Sequence, residues 1–177
     1  YNNENEALRE SNIREAIGHL QEAVKIHPLY KNAYLLMGNA HYYLDEYDQS
    51  IAAYQNALNL DGGYTEDLQN IGVAYRDAGK YYGEQQGDLN RALQYLNQAI
   101  NYQPNDYETL RLHGVAGNAQ QALEYFTKAA DANPNSADAW FNLGTAHLSV
   151  GNTEQGNAFR QKAIGMDPEV TERMARQ

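Results

Sequence analysis

The sequence contains no cysteine, which excludes disulfide bonds, thiol catalysis and zinc sites built on thiolates. Basic residues are also scarce, because 13 Lys and Arg stand against 23 Asp and Glu, for a formal net charge of −10. A surface this negative repels phosphate groups, so nucleic acids and anionic lipids are poor candidate partners. No apolar run approaches the roughly 20 residues of a membrane-spanning helix, so we expect no direct membrane insertion.

Proline is rare as well, and its spacing is informative. Pro28, Pro104, Pro134 and Pro168 are separated by 76, 30 and 34 residues, and 76 is twice 34 with a surplus of eight. Such spacing predicts an internal repeat. Aligning the prolines superposes small residues at two further positions, which are Ala23, Ala57, Ala99, Ala129 and Ala163, and Gly38, Gly72, Gly114 and Gly144.

Each repeat unit is predicted to contain two helices. In the second unit, Tyr34, Met37 and His41 follow the spacing of one helical face, and residues 49–60 form a second helix that ends at Asp61-Gly62-Gly63. Glycine and alanine at the crossing points let the two helices approach closely. A single hairpin cannot bury its apolar face alone, so neighbouring units must stack.

These positions carry a specific resemblance. Over residues 12 to 168 the sequence resembles the tetratricopeptide repeat family, a 34-residue pattern of large, small and proline positions. The second unit matches at Tyr34, Met37, Gly38, His41, Ser50, Tyr54 and Ala57, with Gly62 in the proline position; the fifth matches at Trp140, Leu143, Gly144, His147, Gly156, Ala163 and Pro168. The resemblance implies an all-α fold, a right-handed α-solenoid of antiparallel helix hairpins with about five repeats. It also implies a concave groove lined by the first helix of each unit.

The repeat pattern predicts one domain over residues 1–177. Its units are 1–30 (partial), 31–64, 65–106 with an eight-residue insertion, 107–136 (shortened), 137–170 and a C-terminal cap at 168–177. In the first unit we expect a helix from Asn12 to Ile26, because residues 1–10 do not match the register of a first helix. In the cap, Asp167 and Pro168 are predicted to start a short helix with Val170 and Met174 on one face.

The insertion lies in residues 80–87 and contains adjacent tyrosines. It is either a helical extension or a glycine-containing loop, and either form would carry Tyr81 and Tyr82 away from the repeat core. We interpret the segment first as a surface insertion that the repeat tolerates; the alternative is that Tyr81 and Tyr82 form a secondary contact with a partner.

No residue pattern predicts catalysis. His41 and His147 occupy a core position of the repeat, no His or acidic cluster has metal-ligand spacing, and neither a phosphate loop nor a serine nucleophile elbow is present. We therefore predict no enzyme activity, no cofactor and no metal.

The face of each first helix opposite its packed positions is predicted to bind a partner. This stripe combines apolar and amide side chains with two arginines, as expected of a protein-binding surface. Its members are Leu35, Asn39, Tyr42, Asn70, Val73, Arg76, Arg111, Val115, Phe141, Asn142, Thr145 and Leu148. Arg76 and Arg111 in an acidic protein predict a ligand with an acidic group. The alternative is that the stripe packs against neighbouring repeats.

One binding mode of the family is excluded. Family members that clamp a C-terminal carboxylate use cations beside two asparagines. Asn39 and Asn70 match those asparagines, but Leu35, Glu108 and Leu112 occupy the cationic positions, so the clamp is broken.

We therefore predict an interaction scaffold that binds a peptide or helix of another protein in its groove. Two alternatives remain. In the first, the chain, which begins at Tyr1, is a docking or regulatory domain of a larger enzyme, for instance a membrane-bound one. In the second, it is a self-associating module that forms homo-oligomers. The Asn- and Gln-rich, Lys-poor composition slightly favours an extracytoplasmic location.

Overall fold

The structure is a computed structural model that describes residues 2–60 and 65–176. Every regular element in these ranges is helical, which confirms the predicted all-α fold. The elements in chain order are α1 (Asn2–Ile26), α2 (Lys31–Tyr43), α3 (Tyr47–Leu60), α4 (Thr65–Lys80), a π-helical segment (Tyr81–Gln85), α5 (Leu89–Tyr102), α6 (Tyr107–Ala116), α7 (Ala119–Ala132), α8 (Ala137–Ser149), α9 (Thr153–Met166) and α10 (Val170–Met174). Within the described ranges, none of the helices is long and apolar enough to cross a bilayer. The predicted stop at Asp61-Gly62-Gly63 lies outside the described residues.

The first helix is longer than the sequence pattern predicts. The pattern places its start at Asn12, but α1 is one continuous helix from Asn2 to Ile26. The repeat register depends on which face is packed, whereas helix formation depends on the backbone. A segment can therefore be helical without matching the register of a repeat.

The chain divides into two compact units, residues 1–78 and 79–177. In the first unit, α2 and α3 form a close antiparallel hairpin. A Cβ atom built on Gly38 would lie 2.5 Å from the Tyr54 ring, and the Ser50 hydroxyl donates a hydrogen bond of 2.8 Å to the Gly38 carbonyl. Both Tyr54 and Ser50 are buried. The small residue of the repeat therefore makes room for the large ring of the next helix.

Because Gly38 lies in a close helix contact and Gly18 does not, we expect alanine at these two positions to change the free energy of unfolding in opposite directions. Gly38→Ala should lower the free energy of unfolding by about 1–2 kcal/mol, because overpacking costs about 1–3 kcal/mol and helix propensity returns up to about 1 kcal/mol. A Cβ atom built on Gly18 of α1 meets no atom within 4 Å, so Gly18→Ala should raise the free energy of unfolding by up to about 1 kcal/mol. Urea unfolding followed by circular dichroism measures both. Equal stabilisation by the two substitutions would contradict the close approach.

In the second unit, side-chain caps define where four helices begin. Asp88, Asp106 and Ser136 each accept a hydrogen bond from the backbone amide three residues ahead, at 3.0, 2.8 and 3.2 Å. Asn118 forms a reciprocal capping box with Gln121. These caps fix the starts of α5, α6, α7 and α8. The first helix of the shortened repeat, α6, has 10 residues, whereas α2 and α8 have 13.

The predicted insertion continues α4 as one π-helical turn. The segment Tyr81–Gln85 follows Lys80 directly, and Gly87 then reverses the chain at φ +67°, a conformation that favours glycine. Gly79 lies close to α5, since a Cβ atom there would be 2.7 Å from Leu96 Cγ. The insertion is therefore a wider helical turn that stays near α5.

A short helix, α10, closes the C-terminal end of the second unit. Val170 is fully buried and packs with Phe141 and Ala163, and Met174 packs partly against the same cluster. The predicted helix start is wrong by two residues, since the N-cap is Glu169 and Asp167 instead accepts a hydrogen bond of 3.0 Å from the Glu169 amide. An Asp side chain often closes such a turn in place of a helix cap.

Candidate binding site

The first unit contains a cleft that joins sequence-predicted residues from two helices. We call it the tyrosine cleft, and its volume is about 170 Å³. Its lining residues come from α2, α3 and α4 and are Asn39, Tyr42, Tyr43, Tyr54, Asn70 and Val73. Four of the six, at positions 39, 42, 70 and 73, belong to the stripe predicted from the sequence. A cleft of this size suits one ligand side chain with the adjoining main chain, and is small compared with cofactor pockets.

Helical spacing brings these side chains together. Asn39 and Tyr42 are three residues apart on α2, and Asn70 and Val73 are three apart on α4, so each pair lies on one face. The Tyr54 hydroxyl donates a hydrogen bond of 2.5 Å to Asn39 Oδ1. This bond fixes the orientation of the amide and leaves its Nδ2 group for a ligand carbonyl.

A carboxylate beside the cleft anchors Tyr42. The Tyr42 hydroxyl donates a hydrogen bond to Asp77 Oδ2, and Arg76 Nε donates to Asp77 Oδ1 at 2.8 Å. Burial raises the pKa of Tyr42 above its usual range, and the hydrogen bond and negative charge of Asp77 raise it further. Burial also raises the pKa of Tyr54, to about 12. Both hydroxyls therefore stay protonated and can act as hydrogen-bond donors at physiological pH.

Tyr43 is a cleft residue that the sequence stripe misses. Its side chain is largely exposed, at 75%, and its ring meets the Tyr42 ring edge-on at a centroid distance of 6.3 Å. Tyr43 lies four residues after Asn39, and this i,i+4 relation was the available signal. The sequence identifies Tyr54 only as a position of the repeat pattern, yet Tyr54 lines the cleft and its hydroxyl binds Asn39.

Two further stripe residues of the first unit lie outside the cleft lining. Leu35 is half-buried. Arg76 is paired with Asp77 and its side chain is 22% exposed. In the second unit, Arg111 donates two hydrogen bonds to Glu108, at 2.8 and 2.7 Å. Both arginines from which we expected an acidic ligand are therefore already paired with carboxylates.

The other predicted residues of the second unit differ in how far they are exposed. Phe141 is 8% exposed and packs with the buried Val170, so the expectation that it lines a groove is wrong: α10 covers it. The half-buried Leu148 lies against Gly156, where a Cβ atom would be 2.7 Å from Leu148 Cγ. Thr145 and Val115 are exposed, whereas Asn142 is half-buried.

The tyrosine pair of the insertion also differs from expectation. The Tyr82 ring stacks on the Tyr95 ring at 5.3 Å and 8°, and the Arg91 guanidinium lies 3.9 Å above Tyr82. The Tyr81 hydroxyl accepts a hydrogen bond of 3.0 Å from Gln86 Nε2. Both tyrosines are half-buried. They are therefore not carried away from the helices, because the π-helical turn directs Tyr82 back onto α5.

His41 has a structural contact with a carboxylate. His41 Nδ1 lies 2.7 Å from Glu46 Oε2, and Arg14 Nη1 lies 2.6 Å from Glu46 Oε1. Burial alone would raise the pKa of Glu46, but the hydrogen bonds from Arg14 and His41 lower it below its usual value. Across residues 2–60 and 65–176, no group of three His, Asp or Glu side chains is arranged to hold a metal ion.

Comparison with known proteins agrees with this architecture. Two sequence profiles described as tetratricopeptide repeat match residues 31–105 and 116–174. Tetratricopeptide repeat protein 6 of Homo sapiens is 25% identical across 91% of this chain, which spans 37% of that protein's length. An uncharacterized protein of Methanocaldococcus jannaschii, MJ0572, is 34% identical over 33% of this chain and 67% of its own.

Solved structures show the same fold. YrrB, described as a TPR protein with an unusual peptide-binding site, superposes with a TM-score of 0.58 at 21% identity, covering 93% of this chain and 83% of its own. The MamA structure superposes with a TM-score of 0.60 at 16% identity, covering 95% of this chain and 90% of the MamA chain. The type IV pilus biogenesis factor PilW superposes with a TM-score of 0.52 at 18% identity, covering 96% of this chain and 94% of the PilW chain. The predicted α-solenoid class is therefore confirmed.

Three observations agree: small residues recur at the helix crossings, the helices form antiparallel hairpins, and repeat profiles match the sequence. Such folds serve as protein-interaction scaffolds. The chain belongs to the tetratricopeptide repeat family.

Proposed function

We propose that this chain is a non-enzymatic interaction module that binds an extended segment of a partner protein at the tyrosine cleft. The observation that carries this proposal is the convergence of two amides, Asn39 and Asn70, with three tyrosines in one cleft. Amides donate to and accept from a peptide main chain, and tyrosine rings pack against side chains. The division of residues 1–177 into five repeat units of one domain is part of the same proposal.

The cleft supports a peptide segment better than a helix with an apolar face. Buried polar groups without hydrogen-bond partners cost about 1–3 kcal/mol each, and an apolar helix face would offer no partner to Asn39 Nδ2 or to the Asn70 amide. An extended segment has free backbone carbonyl and amide groups to pair with them. Val73 and the Tyr43 ring then provide apolar contact on either side.

The test uses a random 12-residue peptide library displayed on phage and selected on the immobilised chain. Recovered peptides should bind the Asn39→Ala/Asn70→Ala variant about tenfold more weakly, because each lost hydrogen bond is worth about 0.5–1.5 kcal/mol. The matched control is Asn90→Ala/Asn101→Ala, which removes two exposed amides of α5. A library without binders, or binders equally sensitive to both variants, would overturn the proposal.

A further inference from the structure

The aromatic rings at the end of α2 form a surface suited to a cation. The Tyr42 ring meets Tyr43 at 6.3 Å and 74° and Tyr47 at 6.0 Å and 77°. Aromatic faces carry negative partial charge and attract ammonium and guanidinium groups within about 6 Å. Because Tyr43 is 75% exposed, its ring is accessible to a ligand.

Negative charge concentrates at the same end of the helix. Helix α2 ends at Tyr43, so the negative end of its macrodipole lies beside the cleft. Asp45 and Asp48 follow within five residues, whereas Glu46 is paired with Arg14, and Asp77 accepts the hydrogen bond of Tyr42. Each carboxylate has about four lone-pair sites, so Asp77 can accept further donors besides Tyr42 and Arg76.

The first unit as a whole favours a basic ligand. Residues 1–78 contain 12 acidic and five basic side chains, a net charge of −7 out of −10 for the chain. This field attracts cationic segments and repels acidic ones. Part of the charge of Arg76 is also already matched, since its Nε donates to Asp77 Oδ1 at 2.8 Å. The sequence-based expectation of an acidic ligand therefore finds no unpaired arginine here.

We propose that the tyrosine cleft binds a Lys or Arg side chain of the partner segment. The aliphatic stem lies against Tyr42 and Tyr43, and the cationic head lies over the Tyr43 ring, facing the carboxylates of Asp45 and Asp77. Long basic side chains commonly bury the stem while the head stays solvated. This inference rests on the proposed function and adds the charge of the ligand.

The experiment compares three peptides that differ in one residue. Acetyl-Gly-Ser-Arg-Ser-Gly-amide is titrated into the ¹⁵N-labelled chain, followed by the same peptide with citrulline or with glutamate in place of arginine. Citrulline keeps the shape of arginine without its charge. The arginine peptide should shift the backbone signals of Tyr42, Tyr43 and Val73, with an affinity about tenfold above that of the citrulline peptide. The glutamate peptide should leave these signals unchanged.

Two variants test the aromatic contact. Tyr43→Leu should lower the affinity for the arginine peptide about threefold, as expected for the loss of an exposed cation–π contact. Tyr30→Leu removes another exposed tyrosine of the same unit, 49% exposed and outside the cleft, and should have no effect. Equal loss in both variants would mean diffuse attraction to the negative surface and would overturn the assignment to the cleft.

The outcomes separate this inference from the proposed function. Equal binding of the arginine and citrulline peptides, or tighter binding of the glutamate peptide, overturns the cationic assignment. The same holds if none of the peptides shifts the cleft signals. In each case the phage selection decides independently whether the cleft binds peptides, since selected binders that depend on Asn39 and Asn70 but lack Lys and Arg would retain the proposed function alone.

Discussion

We expect the Lys31→Ala variant to lose about 3–5 kcal/mol of unfolding free energy, the range for breaking one partner of a buried ion pair. Lys31 on α2 places Nζ 2.6 Å from Asp67 Oδ2 on α4, with side chains only 16% and 9% exposed. Removing the ammonium leaves the Asp67 carboxylate in a poorly hydrated site without its main counter-charge. Thermal and urea unfolding monitored by circular dichroism measure the loss.

An exposed ion pair of the same unit serves as the control. Lys25 pairs with Glu22 on α1, with side chains 68% and 66% exposed, so Lys25→Ala should change stability by about 0.5 kcal/mol or less. The double variant Lys31→Met/Asp67→Leu removes both buried charges and should recover most of the loss. A small effect of Lys31→Ala, or no recovery in the double variant, would show that the pair is well hydrated.

This ion pair also connects stability with the proposed site. Lys31 and Asp67 join α2 to α4, and those two helices supply Asn39, Tyr42, Asn70 and Val73 to the tyrosine cleft. A variant that loosens the pair should therefore weaken peptide binding even though neither residue lines the cleft. The two polar contacts between α2 and α4, Lys31 with Asp67 and Tyr42 with Asp77, are therefore expected to help set the width of the cleft.

The helix hairpins were predictable because their signals are local and repeated. A glycine at the crossing point faces a ring of the next helix at Gly38 with Tyr54 and again at Gly114 with Phe126, where a Cβ atom would lie 2.9 Å from the ring. Such contacts join residues 12 to 16 positions apart, so each repeat carries its own evidence. Each repeat of the sequence therefore predicts the helix hairpin independently.

The binding surface was only partly predictable because a helical face does not show what covers it. Phe141 and Tyr42 occupy stripe positions of different repeats, yet α10 covers Phe141 while Tyr42 reaches the cleft. Coverage depends on elements distant in the sequence. The arginine pairs are different, since Arg111 lies three residues after Glu108 and Arg76 precedes Asp77 directly. The i,i+3 pair of Glu108 with Arg111 could have been found from spacing alone, whereas adjacent residues on a helix do not face each other, so spacing gave no signal for Arg76 with Asp77.

His113 on α6 is a buried histidine whose charge state should control the stability of the second unit. It is 1% exposed and stacks on Tyr125 at a centroid distance of 3.6 Å. Its Nε2 atom lies 2.8 Å from Asn97 Oδ1, whereas Nδ1 is buried without a hydrogen-bond partner among the described residues. Burial lowers the pKa of His113. The charge of Glu124 acts to raise this pKa and that of Lys128 to lower it, and these two side chains pair with each other at 2.6 Å. The folded state therefore favours the neutral imidazole.

Acid should destabilise the second unit through this residue. The pKa of His113 is lower in the folded state than in the unfolded chain, where it is about 6.5. The stabilisation of the fold by neutral His113 is therefore complete above about pH 6.5 and is lost as the pH falls below that value. Between pH 7.5 and 5 the melting temperature should fall less in His113→Phe, which keeps a stacked ring and cannot be protonated, than in the wild type. The single tryptophan, Trp140, lies in the same unit, so its fluorescence reports the transition. His19→Phe replaces a histidine on α1 whose side chain is 80% exposed and should follow the wild-type profile. An unchanged acid response in His113→Phe would contradict the assignment, since the remaining carboxylates would then account for the whole pH dependence.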